Sequence, residues 1–367
     1  MVSAEKAERS FPKPEFTGAE AGLLEFPSSK SRSYNYFKPK KLRATMYEDV
    51  TLDVQPDPER HLTQGWIYGF ANGPGGYPKD WTELTSGDWH RFLDPNEEWE
   101  QTIYRNNSNV VRQIQLNLDN AKKAGAYRSF SPGWLRFVER HLGAWMHAEH
   151  GLGMHVFCSE QRSAPTNMIN NAIAVNTAHK LRFAQDLALY NLDLSESGIA
   201  FNGSIHRETW HADPVWQGVR ETVERLTAIS DWAESLFAAN VIFEPLVGVL
   251  FRSNLVMQIA ARNGDYVTPT LVGAGEHDYD RDRRYTRALF GMLTADPEHG
   301  AHNKAMLAGW LEKWVPACAR AAHELQPIWS QPQEKVITFA ESWDAATAEF
   351  RNLLSEIDLD EPKGLLA

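Results

Sequence analysis

Apolar residues recur at spacings of three and four along most of the chain from Pro95 onward. This period belongs to an amphipathic α-helix, and no alternating strand pattern competes with it over any length. The predicted helices cover residues 96–124, 132–160, 165–193, 214–229, 231–262, 268–294, 299–325 and 338–357. Helices of about 25–30 residues are long for a globular domain, and four of them make a bundle. The pattern therefore predicts an all-α fold built on a helical bundle.

The N-terminal segment does not follow this pattern. Prolines interrupt any helix there, at Pro12, Pro14, Pro27, Pro39, Pro56 and Pro58. Aromatic and basic side chains gather in the same segment, at Tyr34, Tyr36, Phe37, Lys38, Lys40, Lys41 and Tyr47. A disordered tail seldom carries so many aromatic residues, so we expect an extended arm that lies on a partner subunit. A solvated tail describes residues 1–30 better.

The predicted organisation has three parts: the arm over residues 1–65, a helical domain over 66–330, and a C-terminal helix and tail over 331–367.

A net charge of −11 argues against non-specific binding to nucleic acid. Two cysteines, Cys158 and Cys318, give no disulfide framework and fit a reducing cytoplasm. The N-terminus lacks the apolar core of a signal peptide, and no uninterrupted apolar run approaches the ~18 residues that span a bilayer. We therefore expect a cytoplasmic protein with no membrane partner.

Polar residues interrupt the apolar stripes of four predicted helices at mid-length. Read at helical spacing, the stripes converge on Trp145, His179, Arg182, Glu244, Tyr279 and Asp282. Buried charges must be paired and hydrogen-bonded, because desolvation costs several kcal/mol per ion. We therefore predict that Arg182 is buried and forms an ion-pair network with Glu244 and Asp282. The alternative is a mononuclear metal site on His179, Glu244 and Asp282.

Other motifs carry little information. Glu208 and His211 have a Glu-x-x-His spacing, but they lie in a segment between a glycine and a proline that we do not expect to be helical. His147, His150 and His155 fall on one predicted helix, where solvated or interface histidines are more common than a zinc site. No nucleophile elbow or dinucleotide fingerprint is present. The sequence therefore predicts no catalytic or cofactor-binding residue in this chain.

Several stretches together resemble one family, the small subunits of the hydroxylase components of bacterial multicomponent monooxygenases. They are the segments at 34–66, 97–115, 178–190 (AHKLRFAQDLALY) and 263–270 (NGDYVTPT). The resemblance runs from roughly Tyr34 to Trp329. Within the family, the branch acting on acyclic substrates, the propane 2-monooxygenases, is the most similar.

The resemblance implies a ferritin-like bundle without iron. Catalytic large subunits of this family hold two irons with Glu and His side chains three residues apart on each of two helices. In this chain His179 and Arg182 fall at one such pair of positions, and Tyr279 and Asp282 fall at the other. Arginine is permanently cationic and does not bind metal. The resemblance therefore implies a non-catalytic, metal-free subunit that scaffolds its partner.

The resemblance also implies the rest of the system. A di-iron large subunit would hydroxylate a small hydrocarbon such as propane with O2, in an assembly of two large and two small subunits. A reductase with FAD and a 2Fe-2S cluster would supply electrons from NADH, and a small coupling protein would dock on the hydroxylase. The alternatives are the small subunit of a phenol, tetrahydrofuran or alkene monooxygenase, or an autonomous ferritin-like metal oxidase.

Overall fold

The computed structural model describes residues 44–52, 81–332, 334 and 337–361, together with a short antiparallel backbone pairing of Leu23–Leu24 with Arg32–Ser33. Most of the predicted arm therefore lies outside the described residues, including Tyr34, Tyr36, Phe37, Lys38, Lys40 and Lys41. The prediction that these side chains contact a partner stays a prediction.

Nine helices of eight residues or more make up the described body, and a short π-helical turn at Glu48–Leu52 precedes them. They are α1 (Glu100–Ala124), α2 (132–160), α3 (Asn167–Glu196), α4 (Ile205–Ala212), α5 (Pro214–Leu226), α6 (Trp232–Ile259), α7 (Thr268–Thr294), α8 (Gly300–Glu324) and α9 (Phe339–Glu356). Eight of them correspond to the eight predicted helices, with ends that differ by a few residues. The all-α prediction is confirmed.

Helix α4 was not predicted. It is only eight residues long and sits between Gly203 and a proline that opens the next helix. A helix this short has little intrinsic stability and depends on packing. Here α4 packs against α2 and α5, and Trp210 is buried in that contact. A tertiary contact therefore decides its conformation.

Local chemistry explains where the helices begin and end. Asp231 opens α6 by accepting hydrogen bonds from the backbone N–H groups of Ala233 and Glu234, at 2.8 and 3.1 Å. Gly264, between α6 and α7, has φ +83°, and a Cβ there would lie 2.2 Å from the carbonyl oxygen of Ser129. Only glycine fits at such a position. These signals set the lengths of the bundle helices.

The core is a four-helix bundle of α2, α3, α6 and α7, in which each helix packs against two of the others. Helices α8 and α9 cover α6 from outside the bundle, and α1 lies against α3 and α7. By length and composition α6 could cross a membrane, and it is the one such helix in the described ranges, but its apolar window is completely buried in the protein. It is the central core helix.

Two of the bundle helices are not regular α-helices. Helix α2 contains π-helical turns at Val138–Leu142 and Gly151–Phe157, and α6 contains them at Ala238–Val249 and Arg252–Val256. Each π turn inserts an extra residue and rotates the following side chains around the helix axis. Sequence spacing alone therefore does not show that Arg252, which follows the long π-helical stretch of α6, faces the bundle centre.

The end of the predicted arm belongs to the body of this chain. Tyr47 is 4% exposed, and its hydroxyl oxygen accepts a hydrogen bond from the backbone N–H of Asp94 at 3.3 Å. The carbonyl oxygen of Thr51 accepts one from Asn167 at 2.8 Å. The prediction that Tyr47 anchors a partner is wrong, because its side chain is buried and hydrogen-bonded within this subunit.

Candidate functional site

Four charged side chains meet at the centre of the bundle and form what we call the central cluster: Glu149, Lys180, Glu244 and Arg252. They come from α2, α3 and α6, and each is 4% exposed or less. The Lys180 ammonium pairs with Glu244 and lies 3.1 Å from Glu149. The Arg252 guanidinium lies 2.7 Å from Glu244 and 3.1 Å from Glu149. Each cation therefore bridges the same two carboxylates.

Surrounding groups complete the hydrogen bonding of the cluster. The indole N–H of Trp145 donates to Glu149 at 2.7 Å. The third nitrogen of the Arg252 guanidinium pairs with Glu276. The same guanidinium lies over the rings of Trp145 and Tyr279, with centroid distances of 5.3 and 5.7 Å. Such contacts stabilise a desolvated cation further.

Burial and pairing act in opposite directions on these groups. Burial raises the pKa of Glu149. Burial also opposes the charge on Glu244, but Arg252 and Lys180 hold its pKa below the usual value. Burial likewise disfavours charge on Lys180 and Arg252, yet the neighbouring carboxylates raise the pKa of both. The two cations therefore stay protonated at neutral pH, and Glu244 stays ionised between them.

A second polar group lies next to the central cluster. The His179 Nδ1 atom lies 2.7 Å from Asp282, whose other oxygen accepts a hydrogen bond from Asn176 at 2.8 Å. Asn176 in turn accepts from Asn240 and from the Tyr285 hydroxyl, at 2.8 and 2.7 Å. Burial raises the pKa of Asp282, and the Asp282 charge raises the pKa of His179 against burial. Both shifts keep a proton on this pair.

Arg182 is buried, as predicted, but its predicted partners are wrong. Its guanidinium pairs with Asp186 one turn along the same helix and with Asp278 of α7, which lies 2.5 Å away. Glu244 is held by the central cluster, and Asp282 by His179. The long side chain of Arg182 reaches Asp278 across the α3–α7 contact, whereas Asp282, one turn further along α7, is held by His179. Registers read from sequence could not separate these partners.

The predicted site residues thus divide between three neighbouring groups. Trp145, Glu244 and Tyr279 border or join the central cluster, His179 and Asp282 form one pair, and Arg182 belongs to another ion pair. Sequence reasoning missed Lys180 and Arg252, which carry the positive charge of the centre. Lys180 could have been noticed as a lysine inside an apolar stripe. Arg252 could not, because the π turns of α6 rotate it inward.

The donor set at the bundle centre does not fit a di-iron site. The two carboxylates of the central cluster are each held by Lys180 and Arg252, and a metal would have to displace both cations. His179 and Asp282 contact each other, whereas Glu244 is occupied elsewhere, so the alternative of a metal on these three residues is wrong. Over the described ranges, no group of three or more His, Cys, Asp and Glu side chains is placed to hold a metal ion.

The remaining histidines are arranged differently from the sequence motifs. His147 pairs with His206 of α4, with 2.9 Å between ring nitrogens, and stacks on Trp210. Burial lowers the pKa of His147 to about 4, and the pKa of His206 is lowered as well. Glu208 and His211 are both exposed on α4. The contact between His147 and His206 therefore joins two neutral rings at the interface of α2 and α4.

The chain matches the sequence model of a family described as methane/phenol/alkene hydroxylase over residues 66–297. A protein of Mycolicibacterium goodii named propane 2-monooxygenase, hydroxylase component small subunit, is 68% identical over 366 residues, which cover 100% of both chains. A protein of the same name from Rhodococcus jostii (strain RHA1) is 65% identical over 364 residues and 99% of both chains.

A solved structure supports the fold independently. A chain of the xenon-pressurised phenol hydroxylase from Pseudomonas sp. OX1 superposes with a TM-score of 0.76 and 18% sequence identity, covering 93% of this chain and 99% of that one. At this identity the likeness concerns the fold alone, and it agrees with the predicted ferritin-like bundle. The chain therefore belongs to the methane/phenol/alkene hydroxylase family, within the group of small hydroxylase subunits that includes the propane 2-monooxygenase proteins.

Proposed function

We propose that this chain is the non-catalytic small subunit of a soluble di-iron monooxygenase and that it supports a large subunit in which propane is hydroxylated. The observation that carries the proposal is the central cluster. Its two carboxylates, Glu149 and Glu244, are neutralised by an ammonium and a guanidinium at the centre of the bundle. Such a network holds helices in a fixed register and supplies no open coordination position.

Propane is the favoured substrate of the complex because the relatives that match this chain over nearly its whole length, at 65–68% identity, carry that substrate in their names. We propose that the substrate pocket and the di-iron centre belong to the large subunit. Electrons would come from NADH through a reductase with FAD and a 2Fe-2S cluster, and a small coupling protein would regulate the hydroxylase. Two large and two small subunits would form a cytoplasmic assembly.

The subunit would act by fixing the position of the large subunit's helices. Its helices are internally braced by buried ion pairs, so they offer the partner a rigid surface. A reacting group misplaced by even ~1 Å can lose about two orders of magnitude in rate. A subunit that touches neither substrate nor metal can therefore control turnover by holding the partner's helices in place.

The decisive experiment measures NADH-dependent propane oxidation by the large subunit, reductase and coupling protein, with and without this chain. We expect activity only when the chain is present. A matched control adds the Gly309→Ala variant, because a Cβ at Gly309 meets no atom within 4 Å, and this variant should restore full activity. Full activity in the absence of the chain would refute the scaffold function.

Elemental analysis provides a second test. The complex should contain about two irons per large–small pair, in keeping with a di-iron site in the large subunit alone. The isolated chain should contain none in stoichiometric amount after expression in iron-supplemented medium. Tight iron binding by the isolated chain, with oxidase activity, would favour the autonomous metal oxidase instead.

A further inference from the structure

The side of α3 that faces away from the bundle carries exposed apolar residues that no other described part of the chain covers. Gln185, Ala188, Leu189 and Leu192 are all exposed along it, and Leu189 and Leu192 are 45% and 52% exposed. Two leucines one turn apart on an exposed helix face are unfavourable in water unless another surface covers them.

Helix α1 borders this face on one side. It runs parallel to α3, since Asn171 donates to the carbonyl oxygen of Glu98 at 2.6 Å near one end and Lys122 pairs with Asp193 near the other. Tyr104 and Val111 are 67% and 40% exposed and lie two turns apart, so they share one face of α1.

The direction of that face follows from the helix geometry. Asn106 donates to Glu98, which is paired with Arg281 of α7, so Asn106 marks the flank of α1 that faces α7. At 100° per residue, Tyr104 and Val111 lie on the opposite flank of α1. That flank is the one beside the exposed leucines of α3.

Helix α2 borders the face on its other side. A Cβ on Gly153 would lie 3.0 Å from the side chain of Leu181, so α2 and α3 approach closely there. The next residue, Met154, is 41% exposed. The result is a shallow apolar groove with α3 as its floor. Its lining is Tyr104, Val111, Met154, Leu181, Leu189 and Leu192.

We propose that this α1–α3 groove is a docking site for a helix of the large hydroxylase subunit, an inference that rests on the proposed function. A helix that docks in such a groove presents apolar residues at spacings of three, four and seven. The floor of the groove runs along α3 from Leu181 to Leu192, on the order of 15–20 Å of helix, which is long enough to take about three turns of a partner helix.

Charge identifies the kind of surface that fits. The whole chain has a net charge of −11, yet residues 101–118 of α1 contain Arg105 and Arg112 and no Asp or Glu. A partner with acidic residues beside its apolar stripe is therefore complementary. A twofold contact of two copies in which α1 packs on α1 is disfavoured, because it would bring the arginine-bearing helices together.

The test uses the full-length chain co-expressed with its large subunit. The double variant Leu189→Glu/Leu192→Glu should weaken assembly on the order of a hundredfold or more, because two adjacent apolar anchors are replaced by charges. The matched control is Tyr266→Glu, which changes a side chain that is 76% exposed in the turn before α7, outside the groove. The control should assemble within about threefold of the unchanged chain. Sedimentation velocity measures assembly, and circular dichroism checks the fold.

Assembly of the well-folded double variant at the original affinity would overturn the groove proposal and leave the scaffold function standing. If the double variant fails to fold, the Arg112→Glu variant tests the groove proposal instead, since it alters only an exposed charge. This variant should weaken assembly with the large subunit, most strongly at low salt. An unchanged affinity for Arg112→Glu would then overturn the proposal. Self-association of the isolated chain that the double variant abolishes would identify a second copy as the occupant and also overturn it. A complete failure of the unchanged chain to bind the large subunit would instead reject the proposed function.

Discussion

Glu244 and Arg252 lie eight residues apart on helix α6 and form an ion pair of 2.7 Å across Gly248. A Cβ at position 248 would lie 2.6 Å from the Glu244 carboxylate and 2.7 Å from the Arg252 guanidinium. The pair spans two turns of the same helix because π-helical geometry and a missing side chain leave room between them. This arrangement supplies the cation that makes the bundle centre stable without a metal.

Gly248→Ala should therefore destabilise the subunit. The methyl group would push apart two buried side chains that are each fixed by other partners, and overpacking of this kind costs about 1–3 kcal/mol. Chemical denaturation of the purified chain measures the free energy of unfolding. Gly309→Ala is the matched control, because it places the same methyl group in a helix with free space and should be neutral or slightly stabilising. Equal stability of the two variants would contradict the steric role of Gly248.

Lys180→Met should cost about 3–5 kcal/mol, the usual loss when one partner of a buried ion pair is removed. The substitution leaves Glu149 and Glu244 with Arg252 as their one remaining cation. Adding Glu149→Gln should recover part of the loss, since the second variant removes the excess buried charge. A double-mutant cycle of denaturation midpoints measures this coupling. Strictly additive effects would show that Lys180 and Glu149 do not interact.

Acidification should destabilise the subunit through His141. The ring is fully buried, its Nδ1 accepts from the Trp216 indole at 2.9 Å, and its Nε2 lies 2.7 Å from the Gln331 side-chain oxygen. These partners suit the neutral ring, and burial lowers its pKa from 6.5 to about 4. The unfolded chain therefore binds a proton first as the pH falls, and stability is lost from about pH 6.5 down to about pH 4.

The contribution of His141 should be about 2 kcal/mol between pH 7 and pH 5. His141→Asn keeps a donor and an acceptor but does not titrate, so its unfolding free energy should depend less on pH over this range. Urea denaturation at both pH values measures the difference. The same slope in both proteins would mean that other groups, such as the His147–His206 pair, account for the acid sensitivity.

Deletion of residues 1–41 should leave the helical fold intact and weaken assembly with the large subunit. The removed segment contains the predicted partner anchors Tyr34, Tyr36 and Phe37 but spares Tyr47. Deletion of residues 1–63 should in addition lower the unfolding temperature, because it removes the buried Tyr47 and the contact of Thr51 with Asn167. Thermal unfolding and size-exclusion chromatography separate the two effects. Unchanged assembly of the shorter deletion would reject the arm as a partner contact.

Much of the fold was predictable from local information. Apolar spacing indicated the long helices, because a helix that buries one face must repeat every three to four residues. The shorter helix α4 was missed, since its conformation depends on packing against α2 and α5. The burial of Arg182 could be predicted from its place within an apolar stripe.

The sequence by itself determined that charged residues lie inside the bundle and that the Glu-x-x-His pairs of an iron site are absent from two of its helices. Only the tertiary structure decided which charges meet. Arg182 reaches Asp278, whereas Arg252 reaches Glu244, and neither pairing follows from linear spacing. The physical reason is that π turns in α2 and α6 change the direction in which the side chains of the central cluster point. On the regular helices α3 and α7, the long Arg182 side chain contacts Asp278 because the packing of the two helices brings them together.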